Sequence, residues 1–99
     1  MENTVTKEKL EKYFDVSNKA YKLAKASDCR FTDKKMLDAR KDFLDMIERY
    51  ISDAKHFEKK GEVVTAFAAL NYAHGWLDAG ARLGLFDVHD SKLFTVDDE

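Results

Sequence analysis

"AFAALNYAHGWLDAGARLGLF", Ala66 to Phe86, is long enough for a complete helix yet nearly free of charge, in a 99-residue chain of which 36% is charged. Its reading decides the fold. On a helical wheel of about 100° per residue, Val63, Ala66, Phe67, Leu70, Ala73, Leu77 and Ala81 gather on one face, the predicted core face. A second set, Ala69, Tyr72, Trp76, Ala79 and Leu83, recurs at the spacing 3, 4, 3, 4 of a coiled-coil seam, well away from the first. Asn71, Gly75, Asp78 and Arg82 leave only a narrow polar edge. A helix that is apolar nearly all round is normally buried nearly all round. Two neighbouring helices cover roughly half of it, so the second seam needs a further cover.

Two upstream segments supply those neighbours. Leu10, Tyr13, Phe14, Ser17, Ala20, Tyr21 and Ala24 recur on one helical face, with Lys12, Asp15, Lys19 and Lys22 opposite. Thr6 is placed to cap this helix, with Glu8 near its positive end. "SDCRFTD" interrupts the pattern, and Thr32 or Asp33 offers the next cap. Met36, Phe43, Ile47, Tyr50, Ile51, Ala54 and Phe57 then form a continuous stripe. Gly61 suits the left-handed position that ends a helix, and Gly84 supplies a second stop. The tight connection at Gly61 makes the helices on either side antiparallel. The sequence therefore predicts an all-α, up-down-up three-helix bundle over residues 1–86, with helices at about 7–26, 34–60 and 62–83. A short, irregular, acidic C-terminal tail at 87–99 follows. A tetratricopeptide-like helix pair fits less well, because the chain has no internal repeat.

Composition narrows the function classes. No proline and only four glycines suit helices joined by short turns. Asn71, His74, Asp78 and Arg82 interrupt the longest apolar stretch, which argues against a membrane span. "MENTVTKEKLEKYF" lacks the apolar core of a secretory signal. The single cysteine, Cys29, has no partner for a disulfide within the chain, and a cytoplasmic setting is expected. The net charge of −2 divides into +4 over residues 1–41 and −6 over residues 42–99.

Candidate chemistry is sparse. His74, Asp78 and Arg82 stand at successive i, i+4 positions, the arrangement of a carboxylate orienting a histidine with an arginine to hold an anion. No nucleophile, second acid or glycine-rich loop accompanies them, and an ion-pair ladder is the simpler interpretation. His56 and His89 lie too far along the chain to complete a metal site with His74 and Asp78, so neither metal nor cofactor is expected. Lys12, Lys19 and Lys22, flanked by Lys9 and Lys25, form a basic stripe on the first helix. Glu11 and Asp15 interrupt it and no reading motif accompanies it, so nucleic-acid binding ranks last.

At "ALNYAHGWLDAGARLGLF" the chain resembles the small archaeal proteins grouped as domain of unknown function family 357. The residues carrying the resemblance are Tyr72, Ala73, Gly75, Trp76, Leu77, Asp78, Ala79, Gly80, Arg82, Leu83 and Gly84. Across Lys7 to Lys60 only the amphipathic pattern corresponds. The resemblance implies a short helical bundle of archaeal, cytoplasmic origin and implies no activity.

The leading expectation is a non-enzymatic module whose seam of Ala69, Tyr72, Trp76, Ala79 and Leu83 pairs with a second copy, as a homodimer, or with a partner helix. Large amphipathic rings beside small residues are what such an interface uses. The competing expectations are a tail whose Phe86, Val88, Leu93, Phe94 and Val96 fold over the seam, and a small-molecule or enzyme site around His74, Asp78 and Arg82.

Overall fold

A computed structural model describes residues 5–90 and 92–94. Three helices follow one another, α1 (Lys7–Ala26), α2 (Lys34–Lys59) and α3 (Val63–Leu83). Each bound lies within one residue of that predicted from period and caps. The Thr6 hydroxyl accepts the Lys9 N–H at 3.0 Å, and the Asp33 carboxylate accepts the Met36 N–H at 3.1 Å. Of the two candidate caps for α2, Asp33 is therefore the one used.

Both glycine stops adopt the left-handed conformation, with φ of 79° at Gly61 and 90° at Gly84. Behind each, the chain reverses through the same pair of hydrogen bonds. Gly61 N–H reaches Glu58 O and Glu62 N–H reaches Phe57 O; Gly84 N–H reaches Ala81 O and Leu85 N–H reaches Gly80 O. A side chain at either glycine would strain the backbone, which is why the periodic segments end there.

The core is built largely from small and medium apolar residues: Leu10, Ala20 and Ala24 of α1, Ile47, Ile51 and Ala54 of α2, Ala66, Leu70, Ala73 and Leu77 of α3. Five of these ten residues are alanines, whose small side chains suit close helix packing. α2 and α3 share the most extensive contact and form an antiparallel hairpin, with α1 laid across one side of it. No helix among the described residues is long and apolar enough to cross a membrane.

Arg40 of α2 gathers the ends of the other two helices. Its guanidinium donates to Lys25 O at 3.1 Å, Ser27 O at 2.9 Å and Leu85 O at 2.9 Å. Lys25 lies in the last turn of α1, Ser27 is its C-cap and Leu85 follows the Gly84 cap of α3, so the cation sits at helix ends where the dipoles present negative charge. The guanidinium also lies 5.6 Å from the centroid of the Phe86 ring. Phe86 is fully buried and occupies the space that a Cβ on Gly80 would take.

The described part of the tail runs on the α1 side. Asp87 N–H donates to Asp28 O at 2.8 Å, and Arg30 N–H donates to Gly84 O at 2.9 Å, pairing the tail with the α1–α2 connection. Val88 and His89 share a shallow recess with Leu23 and Ala26 of α1. Phe94 is buried in the core, whereas Val96 lies outside the described residues.

The Asp87 carboxyl is held below its ordinary pKa, first by the hydrogen bond from His89 and then by Arg30, with partial desolvation opposing both. A depressed carboxylate pKa stabilises the fold above the unfolded value, and that contribution is lost as pH falls through the folded value.

Two substitutions test this end of the bundle. Gly80→Ala drives a methyl into the Phe86 ring and is expected to cost about 1–3 kcal/mol in urea unfolding. Arg40→Met removes three hydrogen bonds, two of them part-buried, and is expected to cost about 2 kcal/mol. Unfolding midpoints equal to wild type would show that this junction contributes nothing.

Candidate docking face on α2 and α3

On the side of the hairpin opposite α1, the outer surface of α3 meets α2 in an open groove of about 510 Å3 lined by Phe43, Ala68, Asn71, Tyr72, Gly75, Trp76 and Ala79. Two aromatic pairs join α3 to α2 beside it. The Trp76 indole stands edge-on to Phe43, with centroids 4.8 Å apart and planes at 90°. Tyr72 stacks on Tyr50, with centroids 5.3 Å apart and planes at 14°. Both arrangements suit the ring quadrupoles, and each fixes an outward-facing ring against α2.

Of the five seam residues predicted for an interface, four reach this surface. Tyr72 is 64% exposed and Leu83 54% exposed, Ala79 is exposed, and Trp76 is half-buried beside the groove. Ala69 does not reach it. It turns toward α2 and is buried in the core. The outward alanine is its neighbour Ala68, one wheel position away. None of the described tail residues lines the groove.

Gly75, expected on the narrow polar edge, lines the groove. A Cβ built there would meet no atom within 4 Å, and the residue has ordinary helical φ. Glycine inside a helix costs about 1 kcal/mol relative to alanine. Gly80 has a reason for lacking a side chain in the Phe86 ring, and Gly84 in its φ. Nothing among the described residues requires glycine at position 75.

Charge sets the face apart further. The exposed positions of α1 and α2 are dominated by lysine, aspartate, glutamate and arginine, whereas residues 63–77 of α3 include no formally charged side chain. Val64, Thr65, Ala68, Asn71, Tyr72 and Gly75 are nevertheless all exposed. A solvated helix face in this protein is otherwise a charged one.

None of the ladder residues His74, Asp78 and Arg82 lines the groove. His74 Nε2 is 3.7 Å from the nearer Asp78 oxygen, beyond hydrogen-bond reach, and both side chains are part-buried. Arg82 is exposed, and Asp78 and Arg82 both engage in other interactions. Among the described residues no group of three His, Cys, Asp or Glu side chains is arranged to hold a metal ion. Along α1, Lys19 pairs with Asp15 at 3.0 Å, while Lys9 and Lys25 lie over the rings of Phe67 and Tyr21 at 5.5 Å and 5.8 Å. Tyr13, expected in the core, is 36% exposed and packs edge-on against Phe67.

The family described as protein of unknown function (DUF357) matches residues 12–86, three quarters of the chain, and the chain belongs to that family. No curated protein and no solved structure matches it.

The two groove rings should differ in what they contribute to the isolated chain. Trp76→Ala removes a half-buried indole and its contact with Phe43, and is expected to cost about 2–3 kcal/mol in dilute urea unfolding. Tyr72→Ala removes a mostly exposed ring and is expected to cost less than about 1 kcal/mol. Equal costs would mean that Tyr72 serves the fold rather than the surface.

Proposed function

We propose that this member of the DUF357 family is a non-enzymatic interaction module that docks an apolar helical surface on its α2/α3 face. The observation carrying this reading is the uncharged outer line of α3, with Tyr72 and Leu83 exposed and Trp76 half-buried beside an open groove. Covering the exposed parts of these three side chains, at about 25 cal/mol per Å2, is worth several kcal/mol before the costs of association. A contiguous apolar patch rimmed by charged helix faces is the usual form of a protein-docking site. A reducing, cytoplasmic setting accompanies this reading, since Cys29 is the chain's one cysteine and is a free thiol.

The arrangement is less suited to a small-molecule or enzyme site. Small-molecule sites are concave and bring several polar groups to bear on one point. Here the groove is open, Asn71 is the one amide or charged side chain lining it, and none of His74, Asp78 and Arg82 lines it. The α1 lysines suit nucleic acid no better, being interrupted by carboxylates or laid over their own helix's rings and Phe67.

The test uses the environment-sensitive dye ANS with the full chain at low micromolar concentration. Wild type is expected to bind ANS saturably, and Tyr72→Glu/Leu83→Glu is expected to lose most of that signal with little change in melting temperature. A parallel panel of divalent metals, nucleotides and inorganic phosphate is expected to leave the melting temperature unchanged. Absence of dye binding, or a clear stabilisation by one of those ligands, would overturn the docking reading.

A further inference from the structure

We infer that the occupant of this face is a second copy of the same chain, its α3 laid antiparallel on the first about a two-fold axis passing between Gly75 and Trp76. The inference rests on the docking reading above and adds the partner and its geometry.

The support is a self-complementary pattern along α3. Ala68, Tyr72, Gly75, Trp76, Ala79 and Leu83 all fall within about 50° of one line at 100° per residue, so they form one straight stripe. Each of them except half-buried Trp76 is exposed, and all but Leu83 line the groove. The stripe alternates small and large residues symmetrically about its centre. When two such helices run antiparallel about an axis between positions 75 and 76, Ala68 faces Leu83, Gly75 faces Trp76 and Ala79 faces Tyr72. Each pair occurs twice, as a two-fold interface demands. Every small residue receives a large one, the pattern by which helix surfaces interdigitate without voids. A parallel pairing would instead set Tyr72 on Tyr72 and Ala68 on Ala68, with crowding in one layer and a void in the next.

Gly75 then acquires a reason that the described residues of the single chain do not supply. At the centre of the crossing it leaves room for the indole of the other copy, which a side chain would fill. The absence of formal charge over residues 63–77 removes the like-charge repulsion that self-pairing otherwise creates. The available area is compatible with a dimer, although a weak one. A strip about 30 Å long and two helices, about 20 Å, wide offers about 600 Å2 per copy, or about 1,200 Å2 for the pair. That is the lower limit for specific, stable interfaces, so a micromolar dissociation constant is expected.

The experiment is sedimentation velocity on the full chain from about 1 to 300 µM, a span bracketing micromolar affinity, with disulfide trapping of the register. Wild type is expected to pass from monomer to dimer across this range. Gly75→Leu is expected to weaken dimerisation at least about tenfold while holding or raising the melting temperature of the dilute monomer, because leucine is the better helix former and a Cβ at this exposed position meets no described atom within 4 Å. In a Cys29→Ser background, a mixture of Ala68→Cys and Leu83→Cys chains is expected to cross-link on mild oxidation, while neither does so alone. A wild type that stays monomeric throughout overturns the second-copy inference, and ANS binding that persists in that monomer leaves the docking reading standing. A dimer insensitive to Gly75→Leu, or Ala68→Cys chains that cross-link to one another, overturns the antiparallel geometry.

Discussion

A helix with two neighbours keeps a third side, and the structure is organised by what α3 carries on that side. Its inner residues, Ala66, Leu70, Ala73 and Leu77, are enclosed by α1 and α2. Its outer line from Val64 to Leu83 is still apolar or uncharged until Arg82. Removing apolar surface from water is the main force that assembles the bundle, and here that force is not exhausted by the bundle. The aromatic pairs Phe43–Trp76 and Tyr50–Tyr72 limit the exposure by leaning each outer ring on α2. They do not cover the line itself.

The described part of the tail leaves that line open. Arg40 ties the C-terminal ends of α1 and α3 together, and Phe86 fills the notch left by Gly80, so the chain leaving α3 turns toward α1. Backbone pairing of Asp87 with Asp28 and of Arg30 with Gly84 continues it on that side. The most apolar residues of the tail, Phe86 and Phe94, are thereby spent on the core and lie away from the Trp76 groove. The junction at Arg40 thus directs the described start of the tail away from the outer line of α3.

Most of the fold was legible because helices announce themselves through local signals. The 3–4 spacing of Leu10 to Ala24 and of Met36 to Phe57, with Thr6, Asp33, Gly61 and Gly84 at the ends, is written within a few turns of chain. The outer seam was legible on the same terms, through Tyr72, Trp76, Ala79 and Leu83. What escaped depends on contacts between distant residues. Arg40 looks like one more charged residue on an amphipathic helix until the ends of α1 and α3 are placed beside it. Phe86 looks like the start of a tail until Gly80 is seen to lack a Cβ for its sake. The exchange of Ala69 for Ala68 has a smaller cause: adjacent alanines differ by one wheel position, and only the direction of α2 decides which is buried. Gly75 carried a usable signal, since a helical glycine with no turn nearby asks for a close approach.

The claim most exposed to test is that this outer line is open in the isolated chain, and Trp76, as the one tryptophan, reports on it directly. Acrylamide quenching of its fluorescence should be followed at submicromolar concentration, with a fully unfolded sample as the upper reference. The expected result is quenching at an intermediate level, well above that of an enclosed indole, falling as the concentration rises into the range where copies associate. An indole already shielded to core-like levels in the dilute monomer would contradict the open face and, with it, the docking function.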